Sequence, residues 1–375
     1  MPAVESFFGA VTTFGHEQVV LCHEPTTGLR AIIAIHDTTL GPALGGIRQW
    51  SYASDEEALR DALRLSRAMT YKAAISGLDQ GGGKAVVLGR PGEGDEARFR
   101  ALGRFIDTLG GRYIAAEDVG TSPREMDWIS RETPWVTGVD MAVGGSGDPS
   151  PHTAVGVYEG MRAACEQRFG SPDLSGRRVA VQGCGHVGAA LVRLLVEAGA
   201  VVAAADLHPE RAEALVPLGV QAVPLDGVLE QECDVLAPCA LGGVLNDRTI
   251  PRLRCQVICG AANNQLEDLA AARALADRGI LYVPDYVVNA GGIINIAEEF
   301  VGYDPQRADR QVRRIFETTR AVLERADADG LTPAEAADRL AEERIDARAP
   351  IASIYTHGSR TAFNHAPDGL LRRRR

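Results

Sequence analysis

Apolar positions along the chain follow two rhythms, that of a strand and that of a helix, and their alternation lays out the elements. Residues 17–22 and 29–37 are short β-rich runs separated by the turn residues Pro25 to Gly28. Gly41-Pro42-Ala43-Leu44-Gly45-Gly46 then reads as a rigid, glycine-lined loop. Ser54, followed by Asp55, Glu56 and Glu57, predicts a helix start, with a capping hydroxyl and acids at the positive end of the dipole. That helix runs to about Ala74, with Leu59, Ala62, Leu63 and Ser66 at helical spacing. A strand through Ala85 to Leu88, an amphipathic helix near 95–109 and a strand over 112–116 follow, and Ser122-Pro123 starts the next helix.

Helices over 154–169 and 189–198 then alternate with strands over 178–182 and 201–205. Further strand-like runs lie over 220–223, 234–236, 256–259 and 280–283. A long helix spans about 304–328, and Thr332-Pro333-Ala334-Glu335 is a capping box with proline at the first helical position. Between the two series, 138–153 is the linker by composition.

At 375 residues the chain has room for two domains with separate cores. Apolar content of 45% and charge of 24% are those of an ordinary soluble globular protein. A net charge of −11 argues against a general nucleic-acid or membrane surface. Arg372 to Arg375 are a local exception, read as a solvated tail. No basic segment followed by an apolar core opens the chain, and no window approaches the apolar length of a membrane span. The seven cysteines, odd in number and irregular in spacing, suggest free thiols in a reducing cytoplasm. Cys255 and Cys259 flank the apolar run of a buried strand, a stronger reading than a metal site. His36, on a strand, reads as a packed histidine.

Candidate chemistry gathers first at Gly77 to Lys84. Three consecutive glycines, Gly81 to Gly83, permit unusual backbone angles and carry no side chain to block a ligand. Lys84 follows them at the mouth of a strand, where burial beside a second cation, Lys72, disfavours a charged amine. A lysine so held suits acid–base work near neutral pH. A phosphate-binding P-loop would need glycine at Leu78 and Ser or Thr at Ala85, so that alternative fails. Lys72 itself projects from the apolar face that carries Leu65 and Ala68. The acids Glu117 and Asp118 end a strand, where ligands bind in α/β sheets.

A second site lies at Gly183, Cys184, Gly185, His186, Val187 and Gly188, a G-x-G-x-x-G turn between strand and helix. Its glycines permit a tight turn and the close approach of a pyrophosphate to the helix N-terminus. Asp206, 18 residues after Gly188, ends the next strand and can accept from a ribose 2′-hydroxyl while repelling a 2′-phosphate. This favours NAD over NADP. His186 is read as incidental. Ala240, Asn263 and Asn289 lie in the turns after later strands, where small and amide residues suit a nicotinamide ribose, although Asn264 equally suits a helix cap.

Gly41 to Gly46, Gly77 to Lys84, Ala116 to Gly120, Gly183 to Gly188 and Pro284 to Gly292 together resemble the glutamate/leucine/phenylalanine/valine dehydrogenase family, in its leucine and valine branch. Only the first twenty and last twenty-five residues carry no such signal. The resemblance implies an α/β fold: an N-terminal α/β substrate domain over 1–142 and a Rossmann dinucleotide-binding domain over 143–330, with the active site in the cleft between them. Residues 331–375 are expected to form a C-terminal helix packing back on the first domain, then the basic tail. The implied activity is reversible, NAD-dependent oxidative deamination of an L-amino acid to a 2-oxo acid and ammonium, by a cytoplasmic homo-oligomer.

Carried over residue by residue, the resemblance makes Lys72 the carboxylate anchor, Lys84 the catalytic lysine that activates water, and Asp118 the proton relay to nitrogen. It adds Thr153 to the cofactor residues and Gly45 to those that bind substrate. Leu44 stands where the glutamate branch commonly has a lysine, so a second carboxylate would be buried without its cation. Ala116, Ile293 and Ile296 are implied to complete an aliphatic pocket suited to valine, leucine or isoleucine, with phenylalanine the alternative. A non-catalytic NAD-binding sensor would not need Lys72, Lys84 and Asp118 together. A 2-hydroxy-acid dehydrogenase would use a histidine–acid pair that no motif here provides.

Overall fold

The computed structural model describes residues 7–92, 95–139, 145–240 and 242–351. The basic tail, the start of the chain and the middle of the expected linker lie outside them. The chain divides into two compact units. One holds the described parts of Met1–Asp148, Ile296–Pro305 and Ala341–Arg375, the other those of Pro149–Asn295 and Gln306–Leu340.

The first unit begins with α1 (Phe7–Phe14), β1 (Gln18–Glu24), β2 (Leu29–Asp37), β3 (Ala43–Trp50), α2 (Asp55–Ile75) and β4 (Gly81–Leu88). It continues with α3 (Glu96–Asp107), β5 (Tyr113–Glu117) and α4 (Pro123–Ser130). Its five strands form one sheet in the order β1-β2-β4-β3-β5. β2 pairs antiparallel with β1 and β4, and β3 runs parallel to β4 and β5. Ser54 caps α2 by accepting from Glu57 N–H, and Ser122 and Glu125 form a capping box at α4.

Two expectations are corrected here. Ala43 to Gly46 of the stretch read as a glycine-lined loop form the first half of β3, after Gly41 and Pro42, and Gly81 to Gly83 open β4 with no left-handed angles. The glycines serve close packing instead. A Cβ on Gly45 would meet Gly83 O at 1.6 Å, and one on Gly82 would meet Thr70 N and Oγ1 of α2 at 2.2 Å. One on Gly83 would meet the Tyr113 ring at 2.6 Å. Bare backbone at these points lets α2 and the neighbouring strands approach nearer than side chains allow.

The second unit carries α5 (Ser150–Phe169), β6 (Arg178–Gln182), α6 (His186–Glu197), β7 (Val201–Ala205), α7 (Pro209–Glu213) and β8 (Gln221–Ala222). β9 (Val235–Pro238), β10 (Val257–Ile258), α8 (Leu269–Asp277), β11 (Leu281–Tyr282) and α9 (Asp285–Val288) follow. The remaining helices are α10 (Gly291–Ala297), α11 (Pro305–Arg313), α12 (Ile315–Asp329) and α13 (Pro333–Arg348). All six strands are parallel, in the order β11-β10-β9-β6-β7-β8. Numbered from β6, this is the doubly wound order 3-2-1-4-5-6, whose switch point lies between β6 and β9.

α5 starts at Ser150, a turn earlier than expected, because Pro149 and Pro151 suit a helix N-terminus. The single helix expected over 304–328 is two, divided at Arg314, whose N–H bonds to Gln311 O in a tighter turn. Thr332 and Glu335 form the expected capping box. Farther along α13, Arg344 donates to Ala74 O and Leu78 O at 3.1 and 2.6 Å and pairs with Asp79 at 2.9 Å, closing the C-terminal end of α2. Among the described residues no helix is long and apolar enough to cross a membrane.

Gly82→Ala should lower stability by about 1–3 kcal/mol, the range for forcing an extra methyl into a packed contact. Urea unfolding of purified variant and parent checks this; an unchanged midpoint would show that α2 does not rest on β4 as described.

Candidate active site

Strand register builds the first candidate site. The shared offset of the pairs Leu44↔Gly82 and Ile47↔Ala85 sets Lys84 beside Gly46, which in turn faces Ala116 on β5. Side chains two apart on a strand share a face. Leu44, Gly46 and Arg48 of β3 therefore line up with Lys84 and Ala116. Strands on either side of β3 lie about 9–10 Å apart, a span that a lysine covers only if nothing stands between. Gly46 supplies the gap: a Cβ there would come within 2.7 Å of Asp118 Cβ.

Lys84 is buried, with 4% of its surface exposed, and its Nζ lies 2.8 Å from Asp118 Oδ2. The neighbour that meets this ammonium is thus an anion. Arg48 Nε reaches the same oxygen at 3.0 Å. Burial pulls the Asp118 carboxyl upward, but the Lys84 and Arg48 charges and hydrogen bonds outweigh it and hold the group below its ordinary value. Thr121 fixes the turn: its hydroxyl accepts from Asp118 N–H at 3.0 Å and donates to Ile47 O at 2.8 Å. Lys72 lies half-buried in the last turn of α2. Leu44, Gly45 and Ala116 are buried within the sheet, and Ile293 and Ile296 are buried on α10.

A second candidate site lies in the other unit. Gly183, at φ 99°, makes the turn after β6, and a Cβ on it would collide with Ala240. Gly188 packs on that turn, since a Cβ there would meet Gly183 O at 1.9 Å. Gly185 differs: a Cβ on it would meet nothing within 4 Å, and it precedes α6 as the capping residue. The protein's own packing therefore does not require glycine at Gly185, whereas a pyrophosphate drawn against the N-terminus of α6 does. The turn, the helix end and the switch point beside it fit a dinucleotide. His186 and Val187 form the first turn of α6.

Asp206 has a duty that its position in the motif did not announce. Its Oδ2 accepts from Cys184 N–H at 2.6 Å and its Oδ1 from His208 N–H at 2.8 Å, bracing the glycine turn against β7. Burial raises this carboxyl, but the His208 and Cys184 amides and Arg211 bring it below its ordinary value. Burial and the Asp206 charge push the Cys184 thiol up to about 11, leaving it protonated at neutral pH. Asn289 donates to Ala261 O at 3.0 Å and Asn263 Oδ1 at 2.7 Å, joining two of the turns at the strand ends. Asn264 takes a left-handed angle, φ 54°, while Asp268 caps the helix that follows. Thr153 bonds to Pro149 O in the first turn of α5, where Gly291 and Gly292 pack closely.

Comparison with known proteins covers both units. The family model "Glu/Leu/Phe/Val dehydrogenase, dimerisation domain" matches residues 16–135. The model "Glutamate/Leucine/Phenylalanine/Valine dehydrogenase" matches residues 144–208 and 211–349. The chain belongs to this family. It is 50% identical over 359 residues to a leucine dehydrogenase of Thermoactinomyces intermedius, covering 95% of this chain and 98% of that one. It is 51% identical over 340 residues to a valine dehydrogenase of Streptomyces virginiae, covering 89% and 95%. Among solved structures, L-tryptophan dehydrogenase from Nostoc punctiforme superposes with a TM-score of 0.82 at 45% identity, covering 92% of this chain and all of that one.

Gly185→Ser separates folding from binding. Serine is a better helix cap than glycine, so thermal stability should hold, while its side chain enters the space kept for the ligand. NADH affinity, read by fluorescence titration, should fall by at least about tenfold, or 1.4 kcal/mol. Unchanged affinity would remove this turn from the dinucleotide site.

Proposed function

We propose that this protein catalyses the reversible, NAD-dependent oxidative deamination of a branched-chain L-amino acid, leucine, valine or isoleucine, to its 2-oxo acid and ammonium. The observation that carries the proposal is the buried pair of Lys84 and Asp118, an amine and a carboxylate 2.8 Å apart on the face that also bears Leu44. Identity near 50% to both a leucine and a valine dehydrogenase supports the substrate class.

In this reading the substrate domain spans 1–142 and the dinucleotide domain 143–330. Lys72 holds the substrate carboxylate, and Asp118 takes a proton from the amino group and returns it to the departing nitrogen. Lys84 steers and activates the water that attacks the imine carbon, a task for a cation with a proton acceptor at its side. The dinucleotide, when bound, supplies the hydride acceptor. Gly183 to Gly188, Asp206, Ala240, Asn263, Asn289 and Thr153 hold it, and the Asp206 charge disfavours a 2′-phosphate.

Leu44, Ala116, Ile293 and Ile296 are the aliphatic residues assigned to the substrate's side chain. An aromatic substrate is the second reading, favoured by the 45% identity to a tryptophan dehydrogenase. The bulky isoleucines in this set argue against a ring. The likeness over 16–135 to a module described as a dimerisation domain supports a homo-oligomer, and we place the protein in the cytoplasm.

The test is a panel of L-amino acids with NAD and with NADP, following NADH or NADPH absorbance. Leucine, valine or isoleucine should give the highest kcat/KM, and NAD should be preferred. A higher value for phenylalanine, tryptophan or glutamate overturns the substrate, and equal use of NADP overturns the role of Asp206. Lys84→Ala should lower kcat by about 10²–10⁴-fold, the usual worth of an acid–base group, with NADH binding intact. A folded variant that keeps most of its activity would take Lys84 out of the chemistry.

A further inference from the structure

Asp118 is held by more than the catalytic lysine. Its Oδ2 receives both Lys84 Nζ, at 2.8 Å, and Arg48 Nε, at 3.0 Å, while these contacts leave Oδ1 unengaged. The other arm of Arg48 reaches Asp61 Oδ2 on α2 at 3.1 Å, and Tyr52 donates to the same Asp61 oxygen at 2.7 Å. These side chains are largely buried: 21% of Arg48, 16% of Asp61 and 19% of Asp118 is exposed. A guanidinium whose two ends each meet a carboxylate is fixed in plane and direction, as a lysine's single point charge would not be.

We propose that Arg48 is a positioning residue that, with Lys84, ties down one oxygen of Asp118 and so leaves Oδ1 as the atom that takes the substrate's proton. This inference rests on the deamination reading above and deepens it. In the step concerned, an N–H bond of the substrate ammonium breaks, its electron pair stays on nitrogen, and the proton forms an O–H bond at Oδ1. The carboxyl then gives the same proton back to the departing nitrogen. With Oδ2 held by two cations the carboxylate cannot turn, so the donor nitrogen meets the same lone pairs at each turnover. Fixed geometry of this kind is worth much in rate, since a displacement of about 1 Å can cost about 100-fold.

Other groups facing Asp118 are few. Lys84 comes from β4, Arg48 from β3, and the phenols of Tyr52 and of Tyr113 on β5 feel its charge, which opposes their ionisation. Asp61 stands behind Arg48. The two cations are the groups that keep Asp118 ionised. Removing one raises the pH at which the carboxylate takes up a proton, so the acid limb of the rate profile, which needs the anion, moves to higher pH.

The experiment compares Arg48→Gln and Arg48→Lys with the parent, using the branched-chain amino acid on which the parent is most active. Folding is read by circular dichroism, cofactor binding by NADH fluorescence, and kcat and KM from pH 5 to 11. Both variants should bind NADH as the parent does. Arg48→Gln should lose about 100-fold in kcat, with a smaller change in KM, and its rate should fall off toward pH 5, where the parent's Asp118 is still ionised. Arg48→Lys keeps a cation but cannot span both carboxylates. It should hold the acid limb near that of the parent and still lose kcat.

An unmoved acid limb with kcat within about twofold of the parent in Arg48→Gln would overturn the proposal. So would a loss confined to KM. If Arg48→Gln does not fold, Arg48→Lys decides, and parental kcat in that variant overturns the role. A parent inactive on every L-amino acid overturns the deamination reading itself. An active parent with indifferent variants overturns only Arg48.

Discussion

An ammonium group with 4% of its surface exposed cannot stand alone, and the first unit is arranged around that constraint. An unpaired charge at such depth carries a penalty of several kcal/mol. The counter-charge, Asp118, follows β5, a strand that does not adjoin the lysine's own because β3 lies between β4 and β5. Every adjustment nearby serves that crossing. Gly46 clears the path, Thr121 fixes the turn that carries Asp118, and Arg48 makes a second grip on the carboxylate. Breaking one member leaves a buried charge behind, so these groups stand or fall together more than their separate hydrogen bonds suggest.

The second unit solves a different problem with the same residue type. In the proposed reading its glycine turn must be rigid enough to present amides and bare enough to admit a pyrophosphate. Gly183 and Gly188 are glycine for the protein's own packing, whereas the packing around Gly185 leaves room for a side chain. Asp206 links the two demands. It holds the turn through the Cys184 amide and, in the proposed reading, stands at the end of β7 to meet a ribose.

Much of this was legible in the residues. Periodicity located most helices and strands, and the caps at Ser54, Ser122 and Thr332 stand where the spacing placed them. β3 was hidden because glycine and proline are turn residues in a local reading, and their use here depends on a partner backbone that only the register supplies. The same blindness applied to Gly81 to Gly83. Arg48 was missed for a related reason: it sits mid-strand in no motif of its own, and it becomes significant only when β5 and α2 deliver Asp118 and Asp61 to its two ends. α1 had no acid in its first turn and no base in its last to announce it. Lys84, Asp118 and Gly183 to Gly188 were visible because their surroundings are contiguous in sequence.

Arg344 closes the end of α2 from 266 residues farther along the chain. Its hydrogen bonds to Ala74 O and Leu78 O therefore form only after every strand described here has been made. During synthesis the Leu78 carbonyl must wait for Arg344, whereas the Ala74 carbonyl already accepts from Gly77 N–H nearby. The second unit has its glycine turn and all of its strands in hand before that moment. Assembly thus has a built-in order, with the nucleotide fold able to finish first and the lysine-bearing corner sealed last. A truncated chain lacking the final helix can contain both lysines and Asp118 and still lack the contact that fixes the end of α2.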